Sequence, residues 1–531
     1  MRVLLLYPLF PKSFWSFERS LELVGRKALL PPLSLVTVAA MLPQTWEMKL
    51  VDRNVQDLTE ADWDGVDLVI LSAMIVQKDD FLAQIRDAKR RGKRVAVGGP
   101  YPTALPQDAQ TAGVDYLILD EGEMTLPLFL EALDQGETHG VFRSTEKPDV
   151  TQTPVPRYDL LKFDAYDNMA VQFSRGCPFQ CEFCDIIVLY GRKPRTKAPS
   201  QLLGELDALH NLGWRGGIFL VDDNFIGNKR NVKLLLQDLK VWQREHQYPF
   251  GFITEASVDL ADDSELMELM LDCNFGTVFL GIETPDEDSL ALTKKFQNTR
   301  NPLVESVAKI NAAGLRIIAG FIIGFDGEKV GAGERVIRFV EQTNLPMPLF
   351  SMLQALPDTA LWHRLKKEGR LLDESKVGNL NQTTLLNFIP TRPIEDIARE
   401  YVTSFWELYD PGRYLDRTYR HFMTMGKPHC KPAIGNVNLK LVQGILKLFW
   451  RQGVWRKTRW KFWHHLFSLL QHNPGVWNRY LATCAYAEHF LEYRQLVRDQ
   501  IEAQLQEFLA VQSRVEAQNA SLEAELREPV A

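Results

Sequence analysis

The chain has few cysteines, and half of them stand together. Six occur in 531 residues, too few for a disulfide framework, so the composition points to a reducing, cytoplasmic compartment. Long apolar runs are missing as well. No stretch approaches the roughly 18 uninterrupted apolar residues of a membrane-spanning helix. The opening Met-Arg-Val-Leu-Leu-Leu-Tyr-Pro breaks at Pro8, too early for a signal peptide. Nor is there an excess of positive charge: the formal net charge is −7, which gives the whole chain no pull toward nucleic acid. A second Cys-x2-Cys pair, of the kind that completes a structural zinc site, is absent too. The length suits roughly three domains of about 150 residues each.

What is present is the run Arg175-Gly-Cys-Pro-Phe-Gln-Cys-Glu-Phe-Cys-Asp185. Cys177, Cys181 and Cys184 offer three thiolates from one short loop, enough to hold three corners of a cubane iron–sulfur cluster and leave one iron bare. A bare iron suits the amino and carboxylate groups of S-adenosylmethionine, and an electron passed through it can cleave a carbon–sulfur bond. Zinc is the alternative use of such a triplet, but the remaining cysteines are scattered. Cys273, Cys430 and Cys484 read as packing residues, with His429 beside Cys430 as one isolated ligand pair.

Residues 1–145 alternate short apolar runs with amphipathic stretches. Strands are predicted at Val3–Tyr7, Glu47–Val51, Leu68–Ser72, Arg94–Val97 and Tyr116–Leu119, with helices near 31–42 and 80–91. That alternation argues a doubly wound parallel sheet. Ligands of such sheets sit at the carboxyl ends of the strands, which nominates Ser72, Gly98, Gly99, Glu121 and Gly122. A proline-rich linker is predicted over 146–165. Over 166–360, six strand-like runs (170–174, 217–221, 250–254, 277–281, 316–323 and 349–355) separated by helical intervals fit a partial (β/α)6 barrel. Polar residues mark several strand ends: Asp222, Asp223 and Asn224, then Glu255 and Ser257, then Glu283, while the fifth ends at Gly324. Glu205 reads as a structural partner for a cation at the barrel bottom.

The cysteine run resembles the radical S-adenosylmethionine superfamily, with aromatic Phe183 before the third cysteine. Leu189-Tyr-Gly-Arg-Lys-Pro-Arg195, Phe219-Leu-Val-Asp-Asp-Asn-Phe-Ile-Gly-Asn228 and Val278-Phe-Leu-Gly-Ile-Glu-Thr-Pro285 resemble the cobalamin-dependent members, the subgroup that includes the hopanoid C-2 methylases. The resemblance implies three cofactors: a 4Fe–4S cluster on the three cysteines, S-adenosylmethionine, and cobalamin in the N-terminal sheet. It implies that Phe183, Asp222, Asp223, Asn224, Glu255, Ser257, Glu283 and Gly324 surround S-adenosylmethionine, and names no catalytic residue. The Asp-x-His-x-x-Gly motif that supplies a histidine to cobalt in other cobalamin proteins is absent, so no protein histidine is expected below the metal. The implied activity is C-methylation of an unactivated carbon in a small molecule, with electrons from a flavodoxin or ferredoxin. A non-methylating radical reaction, such as ring rearrangement, and a non-catalytic zinc or cobalamin sensor are the alternatives. A hopanoid-like isoprenoid lipid is the favoured substrate; tetrapyrroles and natural-product intermediates also suit.

Two helical regions are expected beyond the barrel, 361–435 packed on it and 436–531 at the C-terminus. Within Leu439–Leu470, Trp450, Trp455, Trp460 and Trp463 interleave with seven Lys/Arg residues. That pattern suits peripheral contact with an anionic membrane; RNA binding and an ordinary bundle with solvated cations are the rival readings. Ile501, Phe508, Val515 and Leu522 stand at heptad spacing, with Leu505, Gln512, Asn519 and Leu526 on a weaker second seam.

Overall fold

The computed structural model describes residues 1–372, 382–429 and 439–527. Six parallel strands form the N-terminal sheet: β1 (Arg2–Tyr7), β2 (Glu47–Asp52), β3 (Leu68–Ser72), β4 (Arg94–Gly98), β5 (Tyr116–Ile118) and β6 (Gly140–Phe142). Strands β1 and β3 are sealed by helices on both faces. Their runs Val-Leu-Leu-Leu and Leu-Val-Ile-Leu are almost wholly buried, and the alternate residues fall into two separate cores, one on each side of the sheet. The order is β2-β1-β3-β4-β5-β6. From β1 the chain steps outward to β2 and then back across to β3, so the winding reverses between β1 and β3 and opens a crevice at their carboxyl ends. Strand β6 escapes sequence reading because three residues, partly exposed, carry no apolar run.

A small antiparallel pair, β8 (Ser174–Arg175) and β9 (Arg195–Thr196), brackets the cysteine loop. The barrel strands are β7 (Asn168–Val171), β10 (Gly216–Leu220), β11 (Phe250–Ala256), β12 (Phe275–Glu283), β13 (Arg316–Ile323) and β14 (Met347–Met352). They pair in parallel in chain order, an open six-stranded barrel. Alternate residues face the helices and the barrel interior. On β11, Phe250, Phe252 and Thr254 are buried while Gly251, Ile253 and Glu255 are partly accessible.

The barrel core extends well beyond the barrel. Phe14, Phe17 and Leu21, from the segment after β1, belong to it, as do the helix Ile394–Leu408 and the start of the long helix Trp477–Arg527. Phe14 lies 4.8 Å from Phe490 and 6.4 Å from Tyr409, ring centre to ring centre. Ile501 and Leu505 of the heptad pattern are buried in this core; the side chains of Val515, Asn519, Leu522 and Leu526 lie outside the described residues, as does Cys430. His429 pairs with Asp272 at 3.0 Å. No described helix is long and apolar enough to cross a membrane.

Candidate active site

The cysteine loop is pinned before it begins. Asp222, fully buried after β10, accepts hydrogen bonds from the backbone of Phe173 and Ser174 at 2.8 Å each and from the Ser174 hydroxyl at 2.6 Å. Asp223 accepts one from the Gly176 amide at 2.8 Å. Gly176 has φ 93°, and a Cβ there would stand 2.8 Å from the Gly191 carbonyl, so glycine is required. Burial pushes both carboxyls up, Asp222 to about 7 against the pull of its hydrogen bonds and Asp223 to about 6. Both of Asp222's oxygens are thus engaged with the loop, which makes it a positioning residue.

The three thiols lie near enough to influence one another electrostatically, Cys181 buried and Cys177 and Cys184 partly so. Cys181 is 8% exposed, and its sulfur receives the Gln297 amide at 3.8 Å. Burial raises all three thiol pKa values, and for Cys184 the nearby Asp185 adds to the effect. The Lys295 ammonium opposes that rise at Cys181. Among the described residues no three His, Cys, Asp or Glu side chains converge to hold a single metal ion. A cubane spreads its thiolates over three irons, and the donor set (three thiols, an amide donor to sulfur and one buried cation) fits that group rather than zinc.

Lys295 is the residue that sequence reading missed. It is buried and pairs with Glu283, and it sits 5.9 Å above the Phe183 ring. Phe183 in turn lies 5.9 Å from Phe325. Glu283 adopts φ 65°, beyond a register shift in the β12–β13 pairing, and Asn298 steadies that bend with hydrogen bonds of 2.9 Å to the Gly281 and Ile282 carbonyls. The ion pair lies over Gly281, where a Cβ would meet Glu283 at 2.6 Å and Lys295 at 2.8 Å. Asn224 and Ser257 bond each other across β10 and β11 at 3.2 Å. Glu255 faces the barrel interior, where burial and then Asp223 and Asp222 raise it to about 8. Gly324 (φ 102°) donates its amide to Glu328 at 3.0 Å. The strand-end residues from β10 to β13 therefore ring the mouth that holds the cysteines. Glu205 is structural, buried against Lys197.

The N-terminal nominees divide. Glu121 accepts from Arg175 at 3.0 Å and from Arg195 at 2.8 Å, and Glu123 accepts from Arg175 at 2.7 Å. Glu121 is therefore a tie between the N-terminal sheet and the cysteine loop. Gly122 starts the helix Gly122–Asp134, where a Cβ would press on Leu126 at 3.3 Å. Gly98 makes room for the Ile118 carbonyl and Gly99 (φ 95°) for the Ser72 hydroxyl, which also meets Ser34 at 3.3 Å. Leu9 follows β1 and Met74 follows β3, at the strand ends on either side of the reversal, and they are 45% and 51% exposed. Apolar side chains and small residues at this reversal fit a broad, flat corrin. His139, the one histidine of the first 145 residues, precedes β6 and lies near Asp115, away from the crevice. At the end of β2 a buried Asp52 accepts from the Tyr166 hydroxyl at 2.9 Å, a second link to the barrel.

An open six-stranded barrel with a three-cysteine loop at its mouth, facing the strand ends of a doubly wound sheet, defines a radical S-adenosylmethionine enzyme with a cobalamin domain. The comparisons agree. Residues 171–340 match the radical SAM superfamily, 23–130 the B12 binding domain, and 359–503 a domain of unknown function (DUF4070). The chain is 68% identical over 512 residues to an uncharacterized methyltransferase of Synechocystis sp., covering 96% of this chain and 95% of the relative. It is 33% identical to the hopanoid C-2 methylase of Rhodopseudomonas palustris, covering 93% of each. In fold it is similar to the cobalamin-dependent S-adenosylmethionine radical enzyme OxsB (TM-score 0.58, 16% identity, 96% of this chain and 81% of that one). It is equally similar to the radical S-adenosylmethionine methyltransferase TsrM from Kitasatospora setae (TM-score 0.58, 15% identity, 93% and 99%). The chain belongs to the cobalamin-dependent radical S-adenosylmethionine methyltransferase family, with a 4Fe–4S cluster, S-adenosylmethionine and cobalamin as its cofactors. The sensor alternative falls with that assignment.

Proposed function

We propose that this enzyme methylates an unactivated carbon of a hopanoid-like polycyclic isoprenoid lipid. The observation that carries the reading is the 33% identity to a hopanoid C-2 methylase across 93% of both chains. The barrel interior supports it: Phe219, Ile253, Phe279, Ile322 and Leu349 turn inward and stay partly accessible, a lining suited to a hydrocarbon skeleton. Trp15 stands 5.6 Å from Phe279 and joins this lining from the segment after β1.

The bound cofactors supply the radical and the methyl group. The chain's own residues bind and orient. Cys177, Cys181 and Cys184 hold the cluster, with the Gln297 amide and the Lys295 cation beside Cys181 offsetting its charge. Asp222 and Asp223 fix the loop's backbone. Asn224, Glu255, Ser257, Glu283 and Gly324, with Phe183, form the polar mouth for S-adenosylmethionine. Glu283 has the oxygens to accept from ribose hydroxyls once Lys295 shares it. Ser72, Gly98 and Gly99, with Leu9 and Met74, form the cobalamin crevice, while Glu121 and Gly122 set its distance from the cluster. A cluster held there would take its electron from a small, low-potential carrier such as a flavodoxin or ferredoxin. The packed aromatics at 14–17 keep water from the barrel.

The test is lipid profiling of a strain lacking the gene. Loss of one methylated polycyclic lipid, restored by the wild-type gene and not by Cys181→Ala, is the expected result. An unchanged lipid profile with a methylated tetrapyrrole or other small molecule missing instead refutes the substrate assignment.

A further inference from the structure

Near the C-terminus the chain forms a helical hairpin: the helix Leu439–Trp450, a π-helical turn Arg451–Trp455 and the helix Arg459–His472. Its inner side is well packed. Gly444 lets the first helix close on the helix Glu18–Val24, where a Cβ would fall 2.2 Å from the Leu23 carbonyl. Trp463 stacks on Phe449 at 5.5 Å and donates its indole N–H to the Gly453 carbonyl at 2.9 Å. The outer side is different. Leu446, Trp450, Trp455, Trp460 and Phe467 are 62%, 64%, 72%, 74% and 63% exposed. Of the four tryptophans in this stretch, Trp463 is therefore structural and the other three face outward.

The charge on this side is of one sign. No Asp or Glu occurs between Asp416 and Glu488. Those two acids take up Lys461 at 2.6 Å and Arg456 at 2.8 Å. Lys447, Lys457 and Arg459 have no ion-pair partner among the described residues, and Arg459 lies 5.8 Å over the Trp460 ring. Exposed tryptophans beside unpaired cations, with leucine and phenylalanine between them, match the headgroup boundary of a bilayer: rings at the interface, aliphatic groups below it, cations against lipid phosphates. We propose that this face docks the enzyme on the surface of an anionic phospholipid bilayer. Nucleic acid would use the cations but gives Leu446 and Phe467 nothing apolar to enter. The docking does not depend on the substrate assignment, yet it has a bearing on access. The helix Glu18–Val24 that carries the hairpin starts at Phe17, two residues from Trp15, whose ring meets Phe279 in the barrel.

Flotation of the full-length protein with phosphatidylcholine vesicles, with and without phosphatidylglycerol, tests the proposal. The protein is expected to float with the anionic vesicles at low salt and to be released as salt rises. Replacing Lys447, Lys457 and Arg459 together by Gln should lower the partition coefficient on the order of a hundredfold. Replacing Trp450, Trp455 and Trp460 together by Ser should abolish flotation and the quenching of tryptophan fluorescence by bromine-labelled acyl chains. Because five of the six side chains are exposed and Arg459 is half-buried with no ion-pair partner among the described residues, both variants should keep the wild-type melting temperature and iron content. Three outcomes overturn the proposal: no binding of the wild-type protein to anionic vesicles, undiminished binding by both variants, or binding to single-stranded RNA without binding to vesicles.

Discussion

Arg175→Met should cost several kcal/mol of stability at neutral pH and markedly less in acid. Arg175 stands two residues before the first cysteine, 13% exposed, between Glu121 (3%) and Glu123 (11%). Burial disfavours the charge on Glu123, but the hydrogen bonds and charge of Arg175 outweigh it and hold the carboxyl at about 2 against an ordinary 4.5. A depression of that size is worth roughly 3 kcal/mol, in the range of about 3–5 kcal/mol expected when one partner of a buried ion pair is removed. The sign follows from linkage. A depressed carboxyl contributes stability above its unfolded pKa, and the contribution disappears as pH falls from about 4.5 toward about 2. Urea unfolding of the cofactor-free protein, followed by circular dichroism at pH 7 and near pH 3, should give a wide gap between wild type and variant at the first and a much narrower one at the second. Glu123→Gln placed in the Arg175→Met background should recover part of the loss, because it removes one stranded charge. Stability within about 0.5 kcal/mol of wild type at pH 7, or a deficit of equal size at both pH values, would refute the reasoning.

Replacing Cys177, Cys181 or Cys184 singly by Ala should abolish the visible iron–sulfur absorption and reductive cleavage of S-adenosylmethionine, whereas Cys273→Ala, a buried thiol bonded to the Leu236 carbonyl, should keep both; cleavage by Cys181→Ala contradicts the cluster assignment. Reconstituted protein should bind about one cobalamin in its single strand-end crevice, with no nitrogen coupling from a protein imidazole in its paramagnetic resonance spectrum, and Met74→Glu should weaken that binding. Glu255, raised to about 8 by burial, takes its proton in the folded protein well before the unfolded chain does, so stability is full below about 4.5 and falls as pH rises toward about 8; Glu255→Gln should melt higher than wild type at pH 8 and match it at pH 4.

Much of this architecture is legible in the sequence because apolar runs mark buried parallel strands. Leu68–Ser72 and Arg316–Ile323 are read to the residue, and the cysteine spacing declares its chemistry without any fold. What the sequence hides is partnership. Asp222 looks like a ligand-facing carboxylate at a strand end, but the amides it holds lie 48 and 49 residues earlier. Glu121 has the same disguise, since Arg175 is 54 residues away. Lys295 sits in Thr-Lys-Lys-Phe, a stretch that reads as solvated surface; its burial beside Glu283 depends on the bend at the end of β12. The crevice between β1 and β3 exists because of strand order, which periodicity does not encode. Trp463 and Trp460 are likewise indistinguishable until the packing on Phe449 separates them.

The contact between the two ends of the chain sets a schedule for biosynthesis. The His489 Nε2–H donates to the Ser13 backbone carbonyl at 3.0 Å, across 476 residues. At roughly 5–20 residues per second, the ribosome makes that partner about 24–95 s after Ser13. Through that interval the Phe14–Phe17 segment has no Phe490 or Tyr486 to pack against, and the barrel core stays unfinished while all three cysteines have already emerged. The last described helix supplies Phe490, Tyr493 and Val497 to the barrel core, so that core is completed only after the cysteine loop has emerged.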